Sequence, residues 1–255
     1  MDDDQLLRYS RHIFLPAMGT EAQERLAGAH VLIVGLGGLG SPVGMYLAAS
    51  GIGRLTLVDD DRVDLSNLQR QILHRTDDIG RPKVESAADT LRALNPEVEI
   101  ETRQLRFEAG ALADAVAAAD LVADCSDNFP TRFALNAACV TARVPLVSGA
   151  AIRTEGQVTV FDSRRGGGPC YRCLYSDVSP PPEEACSENG ILAPVVGIIG
   201  AVQAVEALKV LAGFGESLHG RLLVLDAAQM EWRTLRLRKD PECPVCAAAA
   251  VAGNG

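Results

Sequence analysis

Six residues, Gly35-Leu36-Gly37-Gly38-Leu39-Gly40, carry a G-x-G-x-x-G spacing directly after the aliphatic run Val31-Leu32-Ile33-Val34. Gly35, Gly37, Gly38 and Gly40 let the backbone turn sharply and bring unobstructed N–H groups against phosphate at a helix N-terminus. Asp59 closes a second run, Leu55-Thr56-Leu57-Val58, where a strand-end carboxylate accepts hydrogen bonds from ribose hydroxyls. A nucleotide is expected here, and by itself this spacing is also that of NAD enzymes.

The next residues bear on which nucleotide it is. Asp59-Asp60-Asp61-Arg62, Ser66-Asn67-Leu68-Gln69-Arg70 and Arg81-Pro82-Lys83 place acids and cations beside the glycine turn. A dinucleotide's second half has little use for these cations. A triphosphate has, because charge growing on a phosphoryl group under attack is stabilised by Arg, Lys and a carboxylate-held magnesium ion. Asp127 follows the run Leu121-Val122-Ala123-Asp124-Cys125 at the level where open parallel sheets bind ligands, which suits it to that ion. Asp127-Asn128 also reads as a helix cap before Pro130, and the two roles are compatible.

Strand-like and helix-like stretches alternate from Val31 to Val147, the pattern of an α/β, Rossmann-like parallel sheet wrapped by helices. Residues 157–162, 221–226 and 231–237 have β-rich patterns without regular helices between them, so antiparallel strands are expected towards the C-terminus. One domain over 1–255 is expected, with a helical arm at 1–30, a nucleotide-binding core at 31–150 and a partner-facing, metal-bearing part at 151–255. The apolar stretch from Pro194 to Gly213 carries Gln203, Glu206 and Lys209 as a polar stripe, so it reads as a core or dimer helix and not a membrane span. Gly197, Gly200 and Ala201 would let a neighbour approach it closely.

A net charge of −9 argues against binding duplex DNA. The start, Met1-Asp2-Asp3-Asp4, lacks the basic region of a secretory signal, and a cytoplasmic location is expected. His12, His30, His74 and His219 form no metal-ligand pattern.

Four of the seven cysteines form two C-x-x-C pairs, Cys170 with Cys173 and Cys243 with Cys246. Together they suit a closed, structural tetrahedral zinc site, and a redox dithiol is the competing reading. Cys186 lies in a polar, proline-rich loop where a thiol can react, though Glu183, Glu184 and Glu188 oppose its ionisation. Cys125 and Cys139 read as small buried hydrophobes.

Taken together, the chain resembles the MoeB and ThiF family of enzymes that adenylylate ubiquitin-like sulfur carriers. The matching residues are Arg8-Tyr9-Ser10-Arg11, the Gly35 to Gly40 turn, Ser66 to Arg70, Lys83, Asp124 to Asn128, Cys170-Tyr171-Arg172-Cys173 and Cys243-Pro244-Val245-Cys246. The resemblance implies that Gly38, Asp59, Ser66, Asn67, Leu68, Gln69, Arg70, Lys83, Asp127 and Asn128 contact ATP and its magnesium. It implies Arg11 reaching in from a neighbouring subunit of a homodimer, and a cysteine at position 186 that links to the carrier. It also favours zinc at the four cysteines. The implied partner is a sulfur carrier ending in Gly-Gly, in molybdenum cofactor or thiamin biosynthesis. The alternatives are an NAD-dependent oxidoreductase, a tRNA-carboxylate-activating dehydratase, which would need a basic RNA surface, and a nucleotide-sensing scaffold.

Overall fold

A computed structural model describes residues 1–105, 109–166, 168–175 and 190–247. Among them, eight strands share one sheet: β1 His30–Val34, β2 Arg54–Val58, β3 Glu99–Arg103, β4 Leu121–Asp124, β5 Leu146–Ile152, β6 Glu155–Phe161, β7 Arg221–Asp226 and β8 Glu231–Arg236. Their order is β3-β2-β1-β4-β5-β6-β7-β8. The five strands from β3 to β5 are parallel, and β6, β7 and β8 add to that edge antiparallel, as their alternating sequences predict.

β1 reads as an unbroken aliphatic run because both of its faces are covered. Val31 and Ile33 join the core on one side of the sheet, and Leu32 and Val34 join that on the other. Enclosing each of Leu32, Leu57 and Leu121, which are fully buried, contributes about 1.5–3 kcal/mol. The helices are α1 Asp3–Arg8, α2 Ser10–Ile13, α3 Gly19–Ala27, α4 Gly40–Ala49, α5 Lys83–Leu94, α6 Ala109–Ala117, α7 Phe129–Ala142, α8 Tyr171–Leu174 and α9 Ala193–Ala212. α4, α5 and α9 cover one face, and α6 and α7 the other.

The chain starts in mid-sheet, moves out to β3 and returns to β4 beside β1. The loops after β1 and β4 therefore leave for opposite faces, and the crevice between them at the strands' carboxyl ends is where such sheets bind ligands.

α9 is long and apolar enough to cross a membrane, yet it packs on α4, β5 and β6 as a core helix. Gly200 is where the closest approach occurs: a Cβ there would lie 2.4 Å from Pro42 Cγ and 2.6 Å from the Leu39 carbonyl oxygen. Gly197, by contrast, faces open space. The polar stripe of α9 points inward. Fully buried Gln203 donates Nε2–H to the carbonyls of Asp124 (2.9 Å) and Val147 (3.4 Å). Glu206 accepts from the Leu218 N–H at 2.7 Å and pairs with Lys209. These residues bolt the helix to strand ends and a loop, satisfying groups that burial would otherwise leave unpaired.

Candidate active site

The glycine turn is shaped by what side chains cannot occupy. Gly35 sits at φ +91°, and a Cβ there would come 2.6 Å from the Cys125 carbonyl oxygen. A Cβ at Gly40 would lie 1.9 Å from the Gly35 carbonyl oxygen. The turn after β1 is thus wedged against the strand end of β4, with no room for any other residue at either position. Gly38 is pressed on Val196 of α9, and Gly37 faces the side chain of Gln71.

Asp59 ties two loops together at the end of β2. Its Oδ2 accepts the Leu36 N–H at 2.7 Å and its Oδ1 the Asp61 N–H at 2.9 Å. Burial raises its pKa above the usual carboxylate range, while the Lys83 charge pulls it back down. Lys83, the first residue of α5, is 5% exposed and donates Nζ–H to Asp61 Oδ2 at 2.9 Å. Its aliphatic stem is enclosed and its ammonium emerges beside Asp59 and Asp61.

Ser66 and Asn67 form a short 3-10 turn capped by Asp64, whose Oδ1 accepts the Ser66 N–H at 2.8 Å and hydroxyl at 2.6 Å. Arg70 folds back on this turn, donating to the Ser66 carbonyl at 3.1 Å. Leu68 is half-buried there, and Gln69 is exposed. Two cations near this run serve the scaffold instead: Arg81 is held by Asp78 and Asp89, both at 2.6 Å, and Arg62 donates to the Gly80 carbonyl.

Across the crevice, Asn128 N-caps α7, its Oδ1 accepting the Thr131 N–H at 3.0 Å with Pro130 in the first turn, so the cap reading holds. Asp127 is exposed, and its carboxylate meets the Asn128 amide at 3.4 Å. The structure therefore places Gly35 to Gly40, Asp59, Asp61, Ser66 to Arg70, Lys83, Asp127 and Asn128 on the loops and helix starts that follow β1, β2 and β4. It does not bring Arg11 there. Arg11 is exposed on α2, next to Tyr9, which packs on Gly51 and bonds Asn95 and Glu97 at the opposite end of the strands. Cys186 lies outside the described residues.

Residues whose part in the site the sequence did not announce complete it. Gln71 is 5% exposed beside Gly37, and its Oε1 has no protein partner. A buried, unsatisfied acceptor on a glycine cradle fits a ligand bearing donors, as ribose and adenine do. His74 is buried behind the turn, with Nε2 3.0 Å from the Leu36 carbonyl and Nδ1 2.8 Å from Ser86 Oγ. Burial lowers its pKa, so the unfolded chain takes up the proton more readily than the native one. Its contribution to stability is complete above the unfolded value of about 6.5 and is lost as pH falls towards the native value. The urea midpoint of His74→Gln is accordingly expected to change less between pH 7.5 and pH 5.5 than that of the unaltered protein.

The four paired cysteines also converge. Cys170 Sγ lies 3.6 Å from Cys243 Sγ and 4.0 Å from Cys173 Sγ, and Cys173 Sγ lies 3.5 Å from Cys246 Sγ. All four are free thiols, and their sulfurs lie within 4.8 Å of one another, a group able to hold a metal ion. A tetrahedron of sulfurs about 2.3 Å from zinc has edges of about 3.8 Å, which these separations match. Cys125 and Cys139 are buried, and burial raises both thiol pKa values.

The ThiF family model matches residues 9–245. The chain is 48% identical over 246 residues to the molybdopterin-synthase adenylyltransferase of Escherichia coli K12, covering 96% of this chain and 98% of that protein. It is 46% identical to the sulfur carrier protein ThiS adenylyltransferase of the same organism, covering 96% of this chain and 97% of that one. Among solved structures, it is similar to crystalline E. coli MccB with ATP, at a TM-score of 0.81 and 26% identity, covering 94% of this chain and 73% of that one.

Proposed function

The chain belongs to the ThiF family, and on that premise we propose that its strand-end crevice adenylylates the C-terminal glycine carboxylate of a ubiquitin-like sulfur carrier. It is an adenylyltransferase of the MoeB and ThiF type, and it serves molybdenum cofactor or thiamin biosynthesis. A C-terminal carboxyl has a pKa near 3.5, so at neutral pH it is already a nucleophilic anion and needs no general base. Its oxygen attacks the α-phosphorus of ATP, the bond to the bridging oxygen breaks, and pyrophosphate leaves with that electron pair. The products are a carrier acyl-adenylate and pyrophosphate.

Each residue then has a task. Backbone N–H groups of the glycine turn and the start of α4 face the phosphates. Asp59 and Gln71 hold the ribose end, while Lys83, Arg70 and Asn67 meet the phosphate charge. Asp127 would hold the magnesium ion, which when bound offsets charge on the phosphate oxygens. Arg11, remote from its own site, would serve the site of a second copy in a homodimer. Zinc would occupy the four cysteines, Cys186 would be a candidate for linkage to the carrier, and the whole chain would act as one cytoplasmic unit.

The observation that carries this reading is the buried Lys83, its ammonium bonded to Asp61 and acting on Asp59 at the end of β2. An NAD enzyme leaves that arrangement without use. Labelled pyrophosphate is expected to enter ATP only when a carrier ending in Gly-Gly is present, and Asp127→Ala should abolish the exchange. Tight NADH binding without exchange would reject the assignment, and running thiamin-type and molybdopterin-type carriers side by side identifies the pathway.

A further inference from the structure

Beside Asp127 lies a buried ion pair that the mechanism above does not use. Asp124, at the end of β4, is fully buried, and Arg132, in the first turns of α7, is 6% exposed. Asp124 Oδ1 accepts both the Ser126 N–H (3.1 Å) and the Ser126 hydroxyl (2.6 Å), and its Oδ2 accepts the Ser148 hydroxyl (3.0 Å). Arg132 Nη1 lies 3.7 Å from Asp124 Oδ2 and donates to Ser148 Oγ at 3.4 Å, and its Nη2 donates to the Ser126 carbonyl. Every backbone and side-chain polar group of Ser126 is therefore held by this pair. Ser126 is the residue before Asp127.

Tyr171 lies near enough to Arg132 for the two side chains to influence each other's ionisation. Tyr171 is 2% exposed, sits between Cys170 and Cys173, and packs its ring against Phe133 and Phe161 at 5.5 and 6.0 Å. Buried ion pairs contribute little net stability compared with apolar residues of the same volume. What this one supplies is direction: three fixed contacts on one short turn.

We propose that Arg132 is a positioning residue of the nucleotide site, fixing the turn at Ser126 so that the Asp127 carboxylate is held towards the cation that accompanies the triphosphate. The inference rests on the adenylylation reading and deepens it. Arg132 touches no substrate. It acts through Ser126, and the Ser148 hydroxyl bridges it to Asp124.

The test compares Arg132→Lys and Ser148→Ala with the unaltered, metal-replete protein. The primary readout is Mn2+ affinity, by electron paramagnetic resonance, in the presence of a non-hydrolysable ATP analogue. Loss of a group that orients a metal ligand costs about 10–100-fold in metal affinity. Arg132→Lys is expected at about tenfold, and Ser148→Ala, which removes only the hydroxyl bridging Arg132 and Asp124, at about threefold. The Mg2+ concentration that half-saturates carrier-dependent exchange should move by the same factors, with KM for the carrier unchanged. Superimposable Mn2+ titrations for all three proteins would overturn the proposal. Should Arg132→Lys fail to fold by circular dichroism, an unshifted Ser148→Ala overturns it alone. Absence of carrier-dependent exchange in the unaltered protein would instead defeat the underlying reading, and this inference with it.

Discussion

Lys83→Met is expected to lower carrier-dependent pyrophosphate exchange by about three orders of magnitude, while the thermal midpoint stays at or above that of the unaltered protein. The two halves have different causes. Removing one preorganised donor from a site where charge develops costs about 10²–10³ in rate, and an ammonium at a triphosphate belongs at the upper end. A thousandfold loss corresponds to about 4 kcal/mol of transition-state stabilisation.

Stability should not follow the rate. Lys83 is 5% exposed and sits at the first residue of α5, the positive end of the helix dipole, where a cation is disfavoured. Its bonded partner Asp61 has a side chain 61% exposed to solvent, and Asp59, whose pKa rises further without the ammonium, keeps the Leu36 and Asp61 N–H groups as donors. Methionine matches the length of the enclosed stem and needs no hydrogen bond. Replacing a buried ion of this kind by an apolar residue is neutral or stabilising. Activity and thermal midpoint can be measured on one preparation. A midpoint falling by many degrees, with activity falling only as far as the folded fraction, would make Lys83 a structural residue and remove the main support for phosphate chemistry here.

The sequence shows the sheet more readily than the site, for physical reasons. Strands buried on both faces write themselves as aliphatic runs, so β1, β2 and β4 are legible, as are the alternating edge strands. The glycine turn is legible because Gly35 and Gly40 stand where backbone presses on backbone. Polar residues are harder, since one letter serves opposite uses. Arg81 and Lys83 are two residues apart and look alike as cations, yet Arg81 is neutralised by Asp78 and Asp89 while Lys83 faces the crevice. Gln203 and Glu206 read as a polar stripe but are interior anchors. Gln71, His74 and Arg132 carry no spacing signal, because partners come from remote segments: Gly37, Leu36 and Ser148. For Lys83, a further local hint is a lysine opening a helix that begins after Pro82, an electrostatically poor choice that calls for another reason.

Cys170→Ser is expected to release one equivalent of zinc per chain and lower the thermal midpoint by on the order of 10 °C, the loss to be read by metal analysis and calorimetry. The cluster stands where little else holds the chain: Cys170, Cys243 and Cys246 share a small apolar cluster with Val140, Cys173 and Val245, apart from the two main cores. A metal there joins the segment after β6 to that after β8, contributing folding free energy that so few side chains cannot. For a domain of this size each kcal/mol moves the midpoint by about 2–4 °C, so a loss of about 4 kcal/mol gives the expected shift. A redox dithiol predicts the reverse pattern, with no zinc in the unaltered protein and a midpoint that rises on oxidation and falls on reduction. Zinc analysis before and after mild oxidation therefore separates the two chemistries that the paired cysteines allow.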